Sequence, residues 1–380
     1  VCALQSNRVE QSVLHLVTQE LSRGLGAEAE IGDVSYQFPA RVQINDLYLS
    51  DMQGDTLAYL EKVYAHFRVL PLLRKEIRFS RVELSGGVTH LYPIDSTHWN
   101  YSFLADVLRL EPRERFHSFL SIRDICIDSV RAQVGDYKAE LSHASLDLYH
   151  LTADSLDASI HHLRGSLRKS APQGKMAEEP FVVEDMQVRF LYNDTLIALP
   201  SLMVRLPHSQ LTAQGQYNSY LHLDITDATL CPKDISLFVP GLAYMDKLLR
   251  LQTHVEGDMD SLSVSGLTLS YNDRKVFQGN AQCKMVSGNW RDAYLRIQCE
   301  ELAANAAQIQ DLVSDIVNRP FHLPSEIHRL GNMHYRGQID GNIHDLTLHG
   351  AFRTALGVIT TDAALQSDST FRQLAYNARV

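Results

Sequence analysis

The chain contains no run of eighteen apolar residues, so no membrane-spanning helix lies within its 380 residues. It is also poor in cysteine. The five, Cys2, Cys126, Cys231, Cys283 and Cys299, are scattered, and none falls in a C-x-x-C pair. That spacing matches no zinc site, and an odd number gives no disulfide framework. There is no basic stripe either. Lys and Arg together number 35 against 45 Asp and Glu, the net charge is −10, and the two signs are interleaved. This balance argues against nucleic acid as the main partner. The apolar share, 45%, is that of a folded protein and argues against disorder.

Catalytic signatures are missing as well. The seventeen histidines include no H-E-x-x-H, and no G-x-S-x-G occurs. Ser166 and Lys169 match S-x-x-K without its companion motifs, and on a strand they fall on opposite faces. His161 and His162 likewise point apart, while His66, His90, His222 and His344 stand singly among strands, where a solvated face explains them. Asp51, Gln53 and Asp55 resemble the start of a calcium loop, but no glutamate closes it. Gly24, Gly26 and Ala29 fit G-x-G-x-x-A, yet they follow a helical pattern instead of opening one, which removes a dinucleotide site. The chain is therefore expected to be no enzyme and to need no cofactor or metal.

What the chain does have is a recurring pattern, apolar-x-apolar-x-x-apolar-x-apolar. In residues 41–60, RVQINDLYLSDMQGDTLAYL, Val42 and Ile44 precede Asn45-Asp46, and Leu47 and Leu49 follow. Alternation at period two marks a half-buried strand. The two polar residues break parity, so one face stays apolar only if the strand carries an extra residue, as a β-bulge or sharp bend. The same template fits Ala29/Ile31/Val34/Tyr36, Ile77/Phe79/Val82/Leu84, Leu120/Ile122/Ile125/Ile127, Ala139/Leu141/Ala144/Leu146 and Leu151/Ala153/Leu156/Ala158. It fits again at Phe181/Val183/Met186/Val188, Leu223/Ile225/Ala228/Leu230 and Leu262/Val264/Leu267/Leu269. Chance supplies roughly one or two such matches. Their spacing is irregular, which excludes a strict-period solenoid.

Taken in order, residues 8–25 predict a helix with Val9, Val13, Leu16, Val17 and Leu21 on one stripe. Residues 28–93 predict successive strands, with a corner at 71–75 and a turn at Gly86-Gly87. A short helix is expected over 101–108, a loop over 170–180, and a helix over 235–239 opened by residues 231–234 and ended by Pro240-Gly241. Further helices are expected over 303–318 and 324–330, and strands elsewhere to residue 378. The organisation expected is residues 1–26 as an N-terminal helix after a missing membrane anchor, then β segments 27–110, 111–230 and 231–380. The fold class is mainly β: a long, bent antiparallel sheet with one apolar face to hide.

The order of segments resembles that of a known family. The stretches are LVTQELSRGLGAEAEIGDVSY, INDLYLSDMQGDTLAYLEKV, EIRFSRVELSGGVTHLY with NYSFL after it, CPKDISLFVPGL, and LPSEIHRLGNMHYRGQIDGNIHDLTLHGAFRTALGVITTDAAL. Together they cover most of the chain, and it is similar to the N-terminal part of TamB proteins of the Bacteroidetes type, within the AsmA-like group. Of that family's N-terminal membrane helix only residues 1–4, VCAL, suit the last turn, and its C-terminal region is missing. The resemblance implies an inner-membrane anchor, a body in the periplasm and an open apolar β-groove of the β-taco kind. It implies phospholipid carriage between inner and outer membranes or, alternatively, a scaffold for outer-membrane protein assembly with an Omp85-type barrel partner. The groove lining expected on this reading is Val42, Ile44, Phe67, Val69, Ile77, Phe79, Val82 and Leu84.

Overall fold

The computed structural model describes residues 28–37, 41–67, 79–96, 98–103, 124–151, 154–170, 179–258, 260–286, 289–317, 319–342, 344–367 and 374–379. The expected helix at 8–25, most of that at 101–108, the corner at 71–75 and most of the loop at 170–180 lie outside these residues. The chain divides into two compact units, Val1–Asp194 and Thr195–Val380. Both are built of β-strands, as the alternating pattern predicts.

The first unit holds β1 (Ala29–Gln37), β2 (Arg41–Ser50), β3 (Thr56–Phe67), β4 (Phe79–Leu91), β5 (Asp124–Val134), β6 (Tyr137–Leu151), β7 (Leu156–Lys169) and β8 (Phe181–Asn193). Each pairs with the next. Among the described residues β1 and β8 do not pair with each other, so this sheet is open. All the pairings are antiparallel except β4–β5, which is parallel, in contrast to the all-antiparallel expectation. A parallel neighbour needs a crossover instead of a hairpin, and residues 92–123 provide its length.

Gly86-Gly87 does not turn the chain: β4 runs straight through it. The reason lies in the row to which Gly86 belongs. Gly32, Asp46, Glu61, Gly86, Ser129 and Ser142 stand level on six neighbouring strands, because the pairs on either side of each match one to one. Asp46 has φ 55°, Gly86 70° and Ser129 57°. The extra residue predicted for β2 is thus present at the same level in β1, β3, β4 and β5 too. No register is lost there, and the bulge expected in β1 and β2 is instead a crease shared by all of these strands. Within β4, Gly87 leaves room beside Leu60, whose Cδ2 lies 2.9 Å from where a Cβ would be. Ser129 holds a conformation that a β-branched residue resists. Ser129→Val should therefore cost about 2 kcal/mol in urea denaturation while Ser129→Gly costs nothing.

Register does slip at other matches. The β3–β4 register shifts at Phe67, leaving Ser80 as the extra residue. Ser142 is extra in β6 against β7, and Glu184-Asp185 of β8 faces the single residue Arg164. The Leu151/Ala153/Leu156/Ala158 match is no strand with a bulge. β6 ends at Leu151, β7 begins at Leu156, and the two residues pair across a hairpin. Periodicity alone does not separate a tight hairpin from a bulge when polar residues fill both.

The second unit holds β9 (Leu196–Arg205), β10 (Gln210–Tyr217), β11 (Leu221–Leu230), β12 (Leu249–Gly257), β13 (Ser261–Tyr271), β14 (Arg274–Val286) and β15 (Asn289–Asn305). Helices α1 (Ala306–Val317) and α2 (Ser325–His328) follow, then β16 (Asn332–Asn342), β17 (Asp345–Thr354), β18 (Gly357–Ser367) and β19 (Leu374–Arg379). Neighbours in sequence pair antiparallel throughout. The β13–β14 hairpin turns on Asn272 and Asp273, at φ 50° and 62°, the two positive values that a two-residue turn of matching twist requires.

Here the mid-strand extra residues fall on every second strand, and Val276 of β14 is one more beside the β13–β14 turn. Pro200-Ser201 faces Gln214, Thr226-Asp227 faces Gln252, Ser265-Gly266 faces Asn280, and Glu300-Glu301 faces Arg336. A bulge frees backbone groups from the ladder. The facing side chains take them up: Gln252 Nε2 donates to Thr226 O at 2.9 Å, Arg336 Nε donates to Glu300 O at 2.9 Å, and Asn280 Oδ1 accepts from Gly266 N at 2.9 Å.

Two of the expected helices differ from the pattern. Residues 231–241 form two short 3₁₀ turns, Pro232–Ile235 and Pro240–Leu242, instead of one helix, each opening on a proline. Helix α1 begins at Ala306 and not at residue 303, because Ala303 and Ala304 still pair with β16. Asn305 and Gln308 then cap it reciprocally: Asn305 Oδ1 accepts from the Gln308 amide at 2.9 Å, and Gln308 Oε1 from the Asn305 amide at 2.8 Å. Tyr271 and Lys247 both bind Asp315 of α1 and tie the helix to the sheet.

Candidate functional site

Each sheet has one apolar face, and the residues of neighbouring strands line up on it in rows. In the first unit Val34, Ile44, Val63, Leu84, Ile127 and Ala144 form one row across β1–β6. Val34, Ile44 and Val63 are 6%, 8% and 8% exposed. Ile31, Val42, Leu47, Leu60, Val82 and Leu84 pack against them while remaining half-buried. Residues from both sides of the crease, such as Leu47 and Val42, thus share one cluster, which the crease makes possible by restoring parity. All nine residues belong to β1–β4, so among the described residues this face is a single layer.

The other face is charged. The Arg41 guanidinium sits 3.9 Å over the Tyr64 ring and 3.6 Å from Glu83, and Arg81 lies 3.0 Å from Glu83 and 3.5 Å from Asp124. The two carboxylates hold the Arg81 guanidinium's pKa up against a burial that lowers it. Charge interleaved in this way keeps one face wet and leaves the other as the apolar surface.

Of the expected lining, Val42 and Ile44 lie on β2 and Val82 and Leu84 on β4, all in that cluster. Phe67 and Phe79 pair with each other at the ends of β3 and β4. Val69 and Ile77 lie outside the described residues.

The second unit carries longer rows, which the sequence reading missed. One runs Val204, Leu211, Ala228, Leu251, Leu269, Phe277, Leu302, Tyr335, Phe352 and Ile359, a residue from each of β9–β18. Another, beyond the bulges, runs through Leu223, Val255, Val264, Ala281, Ile297, Ile339 and Leu348 on β11–β17. Many of the residues between them are small, among them Ala213, Gly279, Cys299, Gly337 and Gly350. Ala213 and Cys299 are 6% and 2% exposed, and burial pushes the Cys299 thiol up. Small residues at a bend let the larger side chains on either side converge, the condition for a concave apolar surface. Pairing register was the missing signal: a row becomes visible only when each strand's partner is known.

Histidines that look isolated in sequence acquire carboxylate neighbours. His143 Nδ1 lies 2.6 Å from Asp128, His161 Nε2 3.0 Å from Asp147, and His162 Nδ1 2.9 Å from Asp185. The His162 contact holds the Asp185 carboxyl below the usual carboxylate range. His222 stands on a solvated face, as expected, but not singly. It joins His254, Asp224 and Glu256 in a cross-strand cluster on β11 and β12. No helix among the described residues is long and apolar enough to cross a membrane. No family model matches the chain, and no curated protein matches it.

Proposed function

We propose that the chain is a non-enzymatic lipid-shielding protein, whose apolar sheet faces hold phospholipid acyl chains during passage between the inner and outer membranes of a bacterium, from a periplasmic body anchored in the inner membrane. The observation that carries this reading is the unbroken apolar row from β9 to β18. Ten strands at a spacing of about 4.8 Å make an apolar track of about 43 Å, longer than one acyl chain. Each methylene kept from water is worth about 0.8 kcal/mol, so a dozen give about 10 kcal/mol, enough to offset much of the cost of leaving a bilayer. Transfer would be diffusive, and the reading assigns no catalytic residue. A second reading is a scaffold for outer-membrane protein assembly with an Omp85-type barrel, in which an open sheet edge takes a strand from another chain.

Native mass spectrometry with lipid extraction on the purified chain separates the two. Lipid shielding predicts at least one phospholipid per chain, reduced at least about tenfold in Leu251→Asp and Leu269→Asp, because a carboxylate in an acyl track is costly to desolvate. A lipid-free, stable chain would sink the lipid reading and leave the edge-pairing scaffold.

A further inference from the structure

The polar face of the second sheet carries the cluster noted above, and it lies apart from the apolar rows. His222 and Asp224 are alternate residues of β11, and His254 and Glu256 alternate residues of β12. His222 pairs with Glu256 and Asp224 with His254, so the four side chains form a two-by-two array on one face. His254 Nδ1 contacts Asp224 Oδ1, His254 Nε2 lies 2.6 Å from Glu256 Oε1, and His222 Nδ1 lies 3.7 Å from that same oxygen. One ligand atom each from His222, His254 and Glu256 falls within 4.8 Å of the others. Among the described residues no Arg or Lys pairs with any of the four, so two carboxylates face two imidazoles without a cation between them.

We propose that His222, His254 and Glu256, with Asp224 beside them, bind a divalent transition-metal ion of the zinc class. Two imidazole nitrogens and carboxylate oxygens are the donor set that zinc, cobalt and nickel favour over calcium and magnesium. All four side chains are about two-fifths exposed, which leaves the rings free to close from their present spacing to bond lengths of about 2.1 Å. The backbone ladder fixes both strands, so little order is lost on binding. The two other candidate clusters among the described residues fit less well. Cys126, Asp128 and His143 stand beside the Arg81 cation, and burial pushes the Cys126 thiol up. In the set of His208, Cys231 and Asp234, the Asp234 carboxylate already accepts bonds from Ser209 Oγ at 2.6 Å and the His208 amide at 3.0 Å.

Titration of the metal-stripped chain with cobalt(II) chloride, followed by competition with zinc chloride, tests the site. One equivalent of cobalt with the visible absorption of a four- or five-coordinate ion, displaced by zinc, is the expected result. His254→Ala and, separately, His222→Gln should weaken binding by more than about 100-fold. His349→Ala, which removes a histidine paired with Asp362 on β17–β18, should leave it unchanged. Uptake by the wild-type chain no greater than by the His254→Ala variant, or equal loss in His349→Ala, would overturn the proposal. Thermal unfolding of each variant without metal separates a lost ligand from a lost fold.

Discussion

Asp51→Ala is expected to destabilise the first unit by about 3 kcal/mol, although the residue sits in a loop and touches no ligand. Its side chain is buried, 3% exposed, and every oxygen is used. Oδ1 accepts from the Gln53 and Asp55 amides, each at 2.9 Å, and Oδ2 from the Tyr92 hydroxyl at 2.6 Å and Asn100 Nδ2 at 3.4 Å. Asn100, 1% exposed, in turn donates to His90 O at 2.8 Å and accepts from the Tyr92 amide at 3.2 Å. One carboxylate thus joins the β2–β3 turn to the segment after β4, and truncating it orphans several donors at once. The variant's urea midpoint, compared with that of Asp55→Ala at the exposed side of the same turn, checks the claim. Equal midpoints would show that the turn and not the carboxylate holds these segments.

The same carboxylate sets a pH dependence. Burial raises the Asp51 pKa, but the hydrogen bonds from Tyr92, the two amides and Asn100 outweigh it, and the net shift is downward from 3.8. A carboxyl depressed in the folded state stabilises it at any pH above the unfolded value and loses that contribution as pH falls through the folded one. Stability should therefore fall below about pH 4, and Asp51→Asn should flatten that part of the profile. The partner responds in the opposite sense: its bond to Asp51 pushes the Tyr92 hydroxyl up to about 12.

The second large effect is expected at the β16–β17 pairing. Gly337 and Gly350 face each other, and Tyr335, 2% exposed, lies over both. A Cβ on Gly337 would stand 2.3 Å from His349 O and 2.7 Å from the Tyr335 hydroxyl, and one on Gly350 would stand 2.7 Å from Tyr335 Cε2. The ring also packs on Phe352 with centroids 4.7 Å apart, and its hydroxyl donates to Gln338 O at 3.1 Å. Tyr335→Ala should cost about 4 kcal/mol through the cavity it opens. Gly337→Ala should cost about 3 kcal/mol through overpacking. Combined, they should cost less than their sum by about 1 kcal/mol, because the small residue relieves part of the clash. Strict additivity in urea denaturation would mean that the ring and the glycine act independently.

These two places show what the residues reveal before folding and what they do not. The strand pattern was plain in alternation, and the extra residues at Asn45-Asp46, Thr226-Asp227 and Ser265-Gly266 were plain in broken parity. Both are local, set by which face each side chain takes. Whether broken parity makes a bulge, a crease or a hairpin depends on the neighbouring strand. For that reason Gly86-Gly87 reads as a turn, and Leu151/Ala153/Leu156/Ala158 as one strand. The carboxylate at Asp51 looks like half a calcium loop until Tyr92 and Asn100 arrive from forty and more residues away. His222 and His254 are thirty-two positions apart in sequence and diagonal neighbours in space. The apolar face that β2 and β4 share was legible from their alternation, whereas the rows across the second unit emerge only once register is known.

The placement of the mid-strand extra residues on every second strand of β9–β16 makes the hairpin the unit of inheritance. A strand with a bulge and its bulge-filling partner form a self-consistent pair. A duplication or deletion of one such pair preserves the phase of every other strand, whereas losing a single strand inverts the order of all those beyond it. Relatives of this chain should therefore differ in length by whole hairpins, each changing the reach of the sheet by about 10 Å. On the proposed lipid-shielding reading, a lineage whose membranes stand farther apart can lengthen the track by copying, without redesigning its cross-section.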